Sequence, residues 1–242
     1  MTTLCLDFGN TRQKAAIFEN GNLIKTIMLA QDLESSVAEI IDGYRPGISI
    51  LSSVIHHPVG VEVFLKEHTH FHFLAAAISK LNFTTPIGKP ETIGADRLAL
   101  CAAAVLEYPN QNNLVIGLGT CVTYNYVNVK NEFLGGGISP GMYMRMHAMH
   151  AHTALLPIVS PDWNVPLVGF DTKTNIQSGV VLGMAMEIDG FINAYQSKYK
   201  DLKITLTGGD AHHLEPHLKS KLVIDDELLF KGLYAISNMN VD

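Results

Sequence analysis

The sequence is organised around one stretch near its beginning, Leu4-Cys5-Leu6-Asp7-Phe8-Gly9-Asn10-Thr11-Arg12, followed by Gln13, Lys14 and the apolar run Ala15-Ala16-Ile17-Phe18. This pattern is typical of a strand, a tight turn and the returning strand of a hairpin, with Asp7 at the strand end. Gly9 allows close approach to the backbone, Asn10 and Thr11 offer donors, and Asp7 can hold a hydrated divalent cation. The set suits a polyphosphate, although the motif taken alone fits a plain capped β-turn slightly better.

The composition indicates an ordinary globular protein whose partners are small molecules. The chain has 242 residues, 47% of them hydrophobic and 17% charged, enough for one large domain or two smaller ones sharing a cleft. A net charge of -6 without a basic cluster argues against nucleic acid. No apolar run reaches the roughly 18 residues of a membrane span, and the N-terminus resembles no targeting segment, so we expect a cytoplasmic protein with no membrane partner. Cys5, Cys101 and Cys121 are expected to be buried thiols.

Three consecutive strands are predicted before residue 30, because Asn20-Gly21-Asn22 is a hairpin turn and residues 23–29 form a third apolar run. Residues 32–43 predict an amphipathic helix, and residues 48–54 a buried strand that ends in a loop at His56-His57-Pro58. A helix from Val61 then passes into His68, His70 and His72 at period two. Three histidines on one strand face could bind a metal, but a surface strand is preferred because no carboxylate or thiolate lies near.

A second candidate site precedes the most apolar helix of the sequence. The segment Pro90-Glu91-Thr92-Ile93-Gly94-Ala95-Asp96-Arg97 leads into that helix, over residues 98–106. Free backbone donors and the positive end of the helix dipole favour an anionic ligand at its first turn. The plain alternative is that Asp96 is only an N-cap, but a cap does not require Arg97 beside it.

The start of the chain is repeated from residue 113 onward. Residues 114–124 have the same order of buried strand, Gly and Thr turn and returning strand, and Phe133-Leu134 begins a third strand. This repetition indicates a duplication, with halves at residues 1–112 and 113–242 and facing turns around a cleft.

The remaining segments predict connections and helices. Residues 135–141, with three consecutive glycines, are expected to be a loop that either cradles a ligand or makes a close chain crossing. The following helix carries four methionines, which favours pliable core or a subunit interface. Residues 170–175 cap a helix from Ile176 to about Tyr195, a strand near residue 204 runs into Gly208-Gly209, and Leu228 to Met239 forms the last helix.

The ordered set of motifs resembles type III pantothenate kinase over nearly the whole chain. The motifs are Asp7-Phe8-Gly9-Asn10-Thr11, Gly94-Ala95-Asp96-Arg97, Gly119-Thr120, Gly135-Gly136-Gly137-Ile138-Ser139-Pro140-Gly141, Thr153-Ala154-Leu155-Leu156-Pro157 and Thr207-Gly208-Gly209. The resemblance implies an α/β protein with the duplicated ribonuclease-H-like fold of actin-like ATPases, sugar kinases and heat-shock ATPases. It also implies a nucleotide between the two halves and a homodimer.

The implied activity is ATP-dependent phosphorylation of pantothenate to 4'-phosphopantothenate, the first step of coenzyme A biosynthesis. By the family's motifs, Asp96 is the general base, and Gly94, Ala95, Arg97 and Thr172 contact pantothenate together with it. Asp7 orients phosphates bound to Mg2+. The ATP-binding residues are then Asp7, Phe8, Gly9, Asn10, Thr11, Arg12, Gln13, Lys14 and Thr120.

Two acids of the family pattern are missing from the second half. Gly117 stands where the family usually has an aspartate associated with a monovalent cation such as K+ or NH4+, and Asn125 replaces a second acid. Losing two carboxylates argues against activation by such a cation, although backbone carbonyls could still bind one. The alternative hypothesis is therefore a weak or catalytically silent relative with a regulatory role.

Overall fold

The structure is a computed structural model that describes residues 1–241, which form ten strands and seven α-helices. The strands are β1 Thr2–Phe8, β2 Gln13–Glu19, β3 Asn22–Met28, β4 Ile48–Ser53, β5 His70–Phe73, β6 Asn112–Leu118, β7 Cys121–Val127, β8 Phe133–Pro140, β9 Leu202–Thr207 and β10 Val223–Ile224. The helices are α1 Leu33–Tyr44, α2 Val59–His68, α3 Ala95–Glu107, α4 Met142–Ala151, α5 Thr172–Lys198, α6 Ala211–Leu214 and α7 Leu228–Met239.

The contacts group the chain into two units, described separately below. The first contains Met1–Pro109, Asn131–Leu134 and the chain from Glu227 onward, and the second contains Asn110–Lys130 and Gly135–Asp226. The predicted division between residues 112 and 113 differs from these units in the placement of residues 110–112, of residues 131–134 and of the chain from Glu227 onward.

The first sheet has the strand order β3-β2-β1-β4-β5. Strands β1, β2 and β3 form an antiparallel meander, whereas β4 is parallel to β1 and β5 to β4. The turn between β2 and β3 has positive φ at Asn20 (49°) and Gly21 (90°), the conformation that a two-residue hairpin requires. The three predicted strands are therefore confirmed.

The helices of the first unit also follow their sequence signals, with one exception. Helix α1 begins after Asp32, whose carboxylate accepts a hydrogen bond from the backbone of Ser35. The predicted histidine strand is wrong in part, because His68 ends helix α2 and only His70 and His72 lie on β5. No group of three or more metal-ligating side chains occurs within residues 1–241.

Helix α3 is buried along most of its length, because α7 packs directly against it. A Cβ at Gly232 of α7 would lie 1.8 Å from the backbone oxygen of Ala99, so the two helices approach at backbone distance. Burial by neighbouring elements explains why α3 is apolar on nearly every side. The predicted last helix matches α7 at both ends.

The second sheet has the order β10-β9-β6-β7-β8. Numbered from the start of each unit, both sheets have the order 3-2-1-4-5, with strands 1 and 2 antiparallel and strand 4 parallel to strand 1. The predicted duplication is therefore confirmed.

The loop predicted over residues 135–141 is wrong, because residues through Pro140 belong to strand β8. Its glycines reflect a close crossing, the other alternative drawn from the sequence. A Cβ at Gly136 would lie 1.9 Å from the backbone oxygen of Tyr124 on β7, and one at Gly137 would lie 3.2 Å from the Tyr124 ring. Only glycine permits so close a pass.

Helices α4 and α5 complete the second unit. Met142 and Met146 of α4 are buried in the core, whereas Met144 is exposed. The Arg145 guanidinium donates to the Ser139 hydroxyl and to the Glu187 carboxylate, joining β8, α4 and α5. Helix α5 starts within the predicted capping segment and is longer than predicted.

Among the helices of residues 1–241, none combines the length and the hydropathy that a membrane span needs.

Candidate active site

Asp7 lies at the end of β1, half-buried, in a position that disfavours its charged form. The Ser52 hydroxyl of β4 donates to its Oδ1 at 3.3 Å, and Lys14 faces it across the β1–β2 pair. Burial and the negative charge of Asp96 outweigh these two favourable contacts and raise the pKa of Asp7 to about 7. Binding of a cation or a proton to this carboxylate would therefore be favourable. Ser52 was missed in the sequence, where its only signal is a polar residue inside an apolar strand.

The turn after β1 is held by its own backbone and by Gln13. The Gly9 amide donates to the Arg12 carbonyl at 3.2 Å, and the Gln13 side-chain amide donates to the Gly9 carbonyl at 2.9 Å. Asn10, Thr11 and Arg12 are exposed at the tip. The Phe8 side chain is fully buried, so only its backbone can meet a ligand.

The segment Gly94–Arg97 forms the first turn of α3. Gly94 is the N-cap and Asp96 the second helical residue, so the alternative in which Asp96 is the N-cap is wrong. The Asp96 carboxylate accepts from the backbone amide of Arg97 and folds back over Gly94, where a Cβ would lie 2.6 Å from its Oδ1. Burial raises the pKa of Asp96 despite that amide and the Arg97 charge. A carboxylate with a raised pKa is suited to accept a proton from a hydroxyl group.

An open depression of about 520 Å³ lies beside this turn, lined by Asn10, Ser53, Val54, Ile55 and His56. Its wall adjoins the start of α3, since Val54 Cγ1 is 4.0 Å from the Cβ position of Gly94. The volume is that of a small-molecule site.

The side chain of His57 stabilises the segment that lines the depression. Nδ1 lies 3.0 Å from the Ser53 hydroxyl and Nε2 lies 3.2 Å from the Glu62 carboxylate, which ties residues 53–57 to α2. The predicted loop thus has a structural histidine that the sequence did not reveal.

The second unit has its own turn at Gly119 and Thr120, both exposed. The backbone of Gly141 packs onto it, since its amide donates to the Thr120 carbonyl at 3.0 Å and a Cβ would lie 2.2 Å from the Gly119 oxygen. Gly208 approaches from β9 with φ 105°, and a Cβ there would lie 2.1 Å from the Leu118 oxygen. Gly141 and Gly208 shape this turn through contacts that only the fold reveals.

Gly117 and Asn125 leave the second unit without carboxylates at the two substituted positions. Gly117 pairs with Thr123 on β7 and Thr207 on β9. Asn125 is fully buried, and its amide donates to the Val115 carbonyl at 3.2 Å. Its side chain thus supports the sheet.

Thr172, the remaining predicted contact, is the exposed first residue of α5. Asp171 caps the helix by accepting from the backbone and hydroxyl of Thr174, both at 2.7 Å. Within the first unit the structure therefore brings together Asp7, the following turn and the start of α3, whereas Thr120 and Thr172 belong to the second unit.

Two sheets of the same strand order, each with a glycine turn after its first strand, define the class of the protein. It has the duplicated ribonuclease-H-like fold of the actin-like ATPase and sugar kinase superfamily. The inorganic polyphosphate/ATP-glucomannokinase from Arthrobacter sp. strain KM aligns with a TM-score of 0.50 at 15% identity, covering 97% of both chains. A Campylobacter jejuni structure described as a Baf family transcriptional activator aligns at 0.64 and 21% identity, covering 98% of both. At these identities the two structures show the fold alone.

Within this class, the model of the type III pantothenate kinase family matches residues 3–194. The type III pantothenate kinase of Flavobacterium johnsoniae is 36% identical over 242 residues, covering 99% of this chain and 98% of that protein. The chain belongs to the type III pantothenate kinase family, which confirms the resemblance seen in the sequence.

Proposed function

We propose that the protein transfers the γ-phosphoryl group of ATP to the terminal hydroxyl of pantothenate, giving 4'-phosphopantothenate in coenzyme A biosynthesis. The observation that carries this proposal is Asp96, placed in the family motif at the start of α3 with a raised pKa and close enough to Asp7 for their charges to interact. Phosphoryl transfer needs a group that orients the hydroxyl and accepts its proton, together with donors that hold the phosphates.

The residues of the first unit then take distinct roles. Asp96 accepts the proton of the pantothenate hydroxyl, Gly94 and Ala95 border the substrate, and Arg97 pairs with its carboxylate. The depression beside Gly94 has room for pantothenate. The phosphates of ATP are held by the turn and its flanks, Phe8 through its backbone together with Gly9, Asn10, Thr11, Arg12, Gln13 and Lys14.

From the second unit, Thr120 is proposed as a further ATP contact and Thr172 as a further pantothenate contact. Both residues are exposed and carry a hydroxyl. Thr120 lies in the turn after β6, and Thr172 is the first residue of α5. Their removal is expected to weaken binding of one substrate each, which separate KM values for ATP and pantothenate can distinguish.

Asp7 fits a role in orienting Mg2+ with ATP. Its carboxylate is a hard oxygen ligand, and burial beside Asp96 leaves its charge poorly compensated and raises its pKa to about 7. Mg2+ bound with ATP neutralises phosphate charge during transfer. For a monovalent cation the second unit offers Gly117 and Asn125 in place of acids, so we propose turnover that does not depend on K+ or NH4+.

We further propose a cytoplasmic homodimer without nucleic acid or membrane partners. Ile138 on β8, Tyr143 on α4 and Met186 on α5 are 64%, 71% and 64% exposed, and a dimer would cover such apolar side chains. A second copy of the chain is the proposed partner for this surface.

Steady-state transfer of phosphate from ATP to pantothenate, with Mg2+ in potassium and then sodium buffer, tests the proposal. We expect turnover of similar size in both buffers, and a loss of roughly 100- to 10,000-fold in kcat for Asp96→Asn. Asp42→Asn, at an exposed position on α1, is the matched control and should retain the activity. A folded wild-type protein without turnover in either buffer would contradict the kinase and favour a silent, regulatory relative.

A further inference from the structure

The guanidinium of Arg97 lies over the ring of Phe133. Its central carbon is 5.5 Å from the ring centroid, within the range of a cation–π interaction. Both residues belong to the first unit, although Phe133 follows Arg97 by a whole helix and two strands of sequence. The side chain of Phe133 is fully buried, and that of Arg97 is half-buried.

The Phe133 ring is itself held in place by a short ladder. The Thr84 amide donates to the Asn131 carbonyl at 2.9 Å, and the Phe133 amide donates to the Thr84 carbonyl at 2.8 Å. The ring of Phe83 meets Phe133 edge to face at 6.3 Å. Hydrogen bonds and packing therefore fix the ring before any substrate arrives.

A fixed ring beside a guanidinium restricts a flexible side chain through a contact that is not a hydrogen bond. The N–H groups of arginine lie in the plane of the guanidinium, and a cation–π interaction attracts the charge to the ring without being a hydrogen bond. Pairing with a planar carboxylate needs those in-plane donors in a defined direction. An arginine ordered in advance loses less conformational entropy when it binds.

We infer that Phe133 is a positioning residue that holds the Arg97 guanidinium in the direction in which it receives the carboxylate of the acceptor substrate. The inference rests on the proposed function for the identity of that substrate. It assigns a role to a buried aromatic at the start of β8, on a strand that carries no other residue of the proposed site.

The kinetic test is a double-mutant cycle. Phe133→Leu is expected to raise KM for pantothenate about threefold to thirtyfold, the range of a cation–π contact, with kcat and KM for ATP within about twofold. In an Arg97→Gln background the same substitution should give no further increase, since the group that it positions is gone. Phe18→Leu, which removes another buried ring of this unit, one stacked on Tyr234 at 4.5 Å, is the matched control and should leave KM unchanged.

A second measurement does not depend on turnover. The ¹⁵N order parameter of the Arg97 Nε–H group, assigned by comparison with Arg97→Gln, should fall in Phe133→Leu and stay unchanged in Phe18→Leu. An equal rise of KM in both Arg97 backgrounds, or an order parameter that Phe133→Leu does not change, would overturn the inference. A wild-type protein that transfers no phosphate but shows the expected fall would contradict the proposed function while leaving the positioning role intact.

Discussion

At the scale of single residues, the site consists of carboxylates kept where their charge is poorly solvated. Asp7 has one hydroxyl donor and a lysine across the strand pair, yet burial and Asp96 raise its pKa to about 7. A charge in this position destabilises the free protein and becomes favourable only when a cation arrives. In the proposed function this same carboxylate orients Mg2+ bound with ATP.

Replacement of Asp7 should therefore stabilise the metal-free protein in a pH-dependent way. Its folded pKa is raised, so the folded state binds the proton more tightly and loses stability as pH rises from about 4 through 7. Asp7→Asn removes this loss and should melt a few °C above the wild type at pH 8, with the difference shrinking toward pH 4. Thermal melts with a chelator present measure it, with Asp42→Asn as the exposed control. A constant difference across this range would contradict the expectation.

At the scale of elements, glycines determine how closely the backbones approach. Gly232 brings α7 onto α3, and Gly136 brings β8 across β7. By contrast, Gly43 in α1 has no atom within 4 Å of its Cβ position. The same residue type therefore has opposite consequences when it is replaced.

Gly232→Ala should destabilise the protein by several kcal/mol, because its Cβ would lie 1.8 Å from the Ala99 oxygen and α7 would have to move. Gly43→Ala should instead stabilise it by about 0.5–1 kcal/mol, through lower entropy of the unfolded chain and better helix propensity. Urea unfolding of both variants measures the two changes. A Gly232→Ala protein as stable as the wild type would show that the helices can separate without loss.

At the scale of the whole molecule, two units of the same strand order have diverged in chemistry. The first has Asp7 and Asp96, whereas in the second Gly117 stands at the register position of Asp7 and Asn125 is buried on β7. Both units expose apolar side chains, and those on β8, α4 and α5 of the second unit are the ones placed in the proposed dimer interface.

Light scattering coupled to size exclusion should give about twice the chain mass of 26.5 kDa. Ile138→Asp should shift the protein toward monomer, because it places a charge in the proposed apolar interface. Ile24→Asp is the matched control, since Ile24 is 53% exposed on β3, the strand that corresponds to β8 in the other sheet. A monomeric wild type would contradict the proposed dimer.

Local sequence patterns were sufficient to predict most helices and strands. They did not show why particular residues occupy their positions. The Asn20-Gly21 turn, the ends of α7 and a helix cap within residues 170–175 were predicted because the determining atoms lie within a few residues of each other. Residues 135–140 were predicted as a loop and not as a strand, because the atom that requires Gly136, the Tyr124 oxygen, comes from another strand. The sequence left open whether Asp96 caps α3, since Gly94 and Asp96 are both compatible with a helix start, and the structure places the N-cap at Gly94.

The sequence by itself determined the repeated series of three strands at the start of each half, the family and the motifs in which Asp7, Asp96 and Arg97 stand. Only the tertiary structure decided that Asp7 and Asp96 lie close enough to interact, that Ser52 donates to Asp7, and that Phe133 lies under Arg97. The physical reason is the sequence separation over which each interaction acts. Turns, caps and strand patterns depend on neighbouring residues, whereas burial, raised pKa values and cation–π contacts arise when packing brings distant segments together.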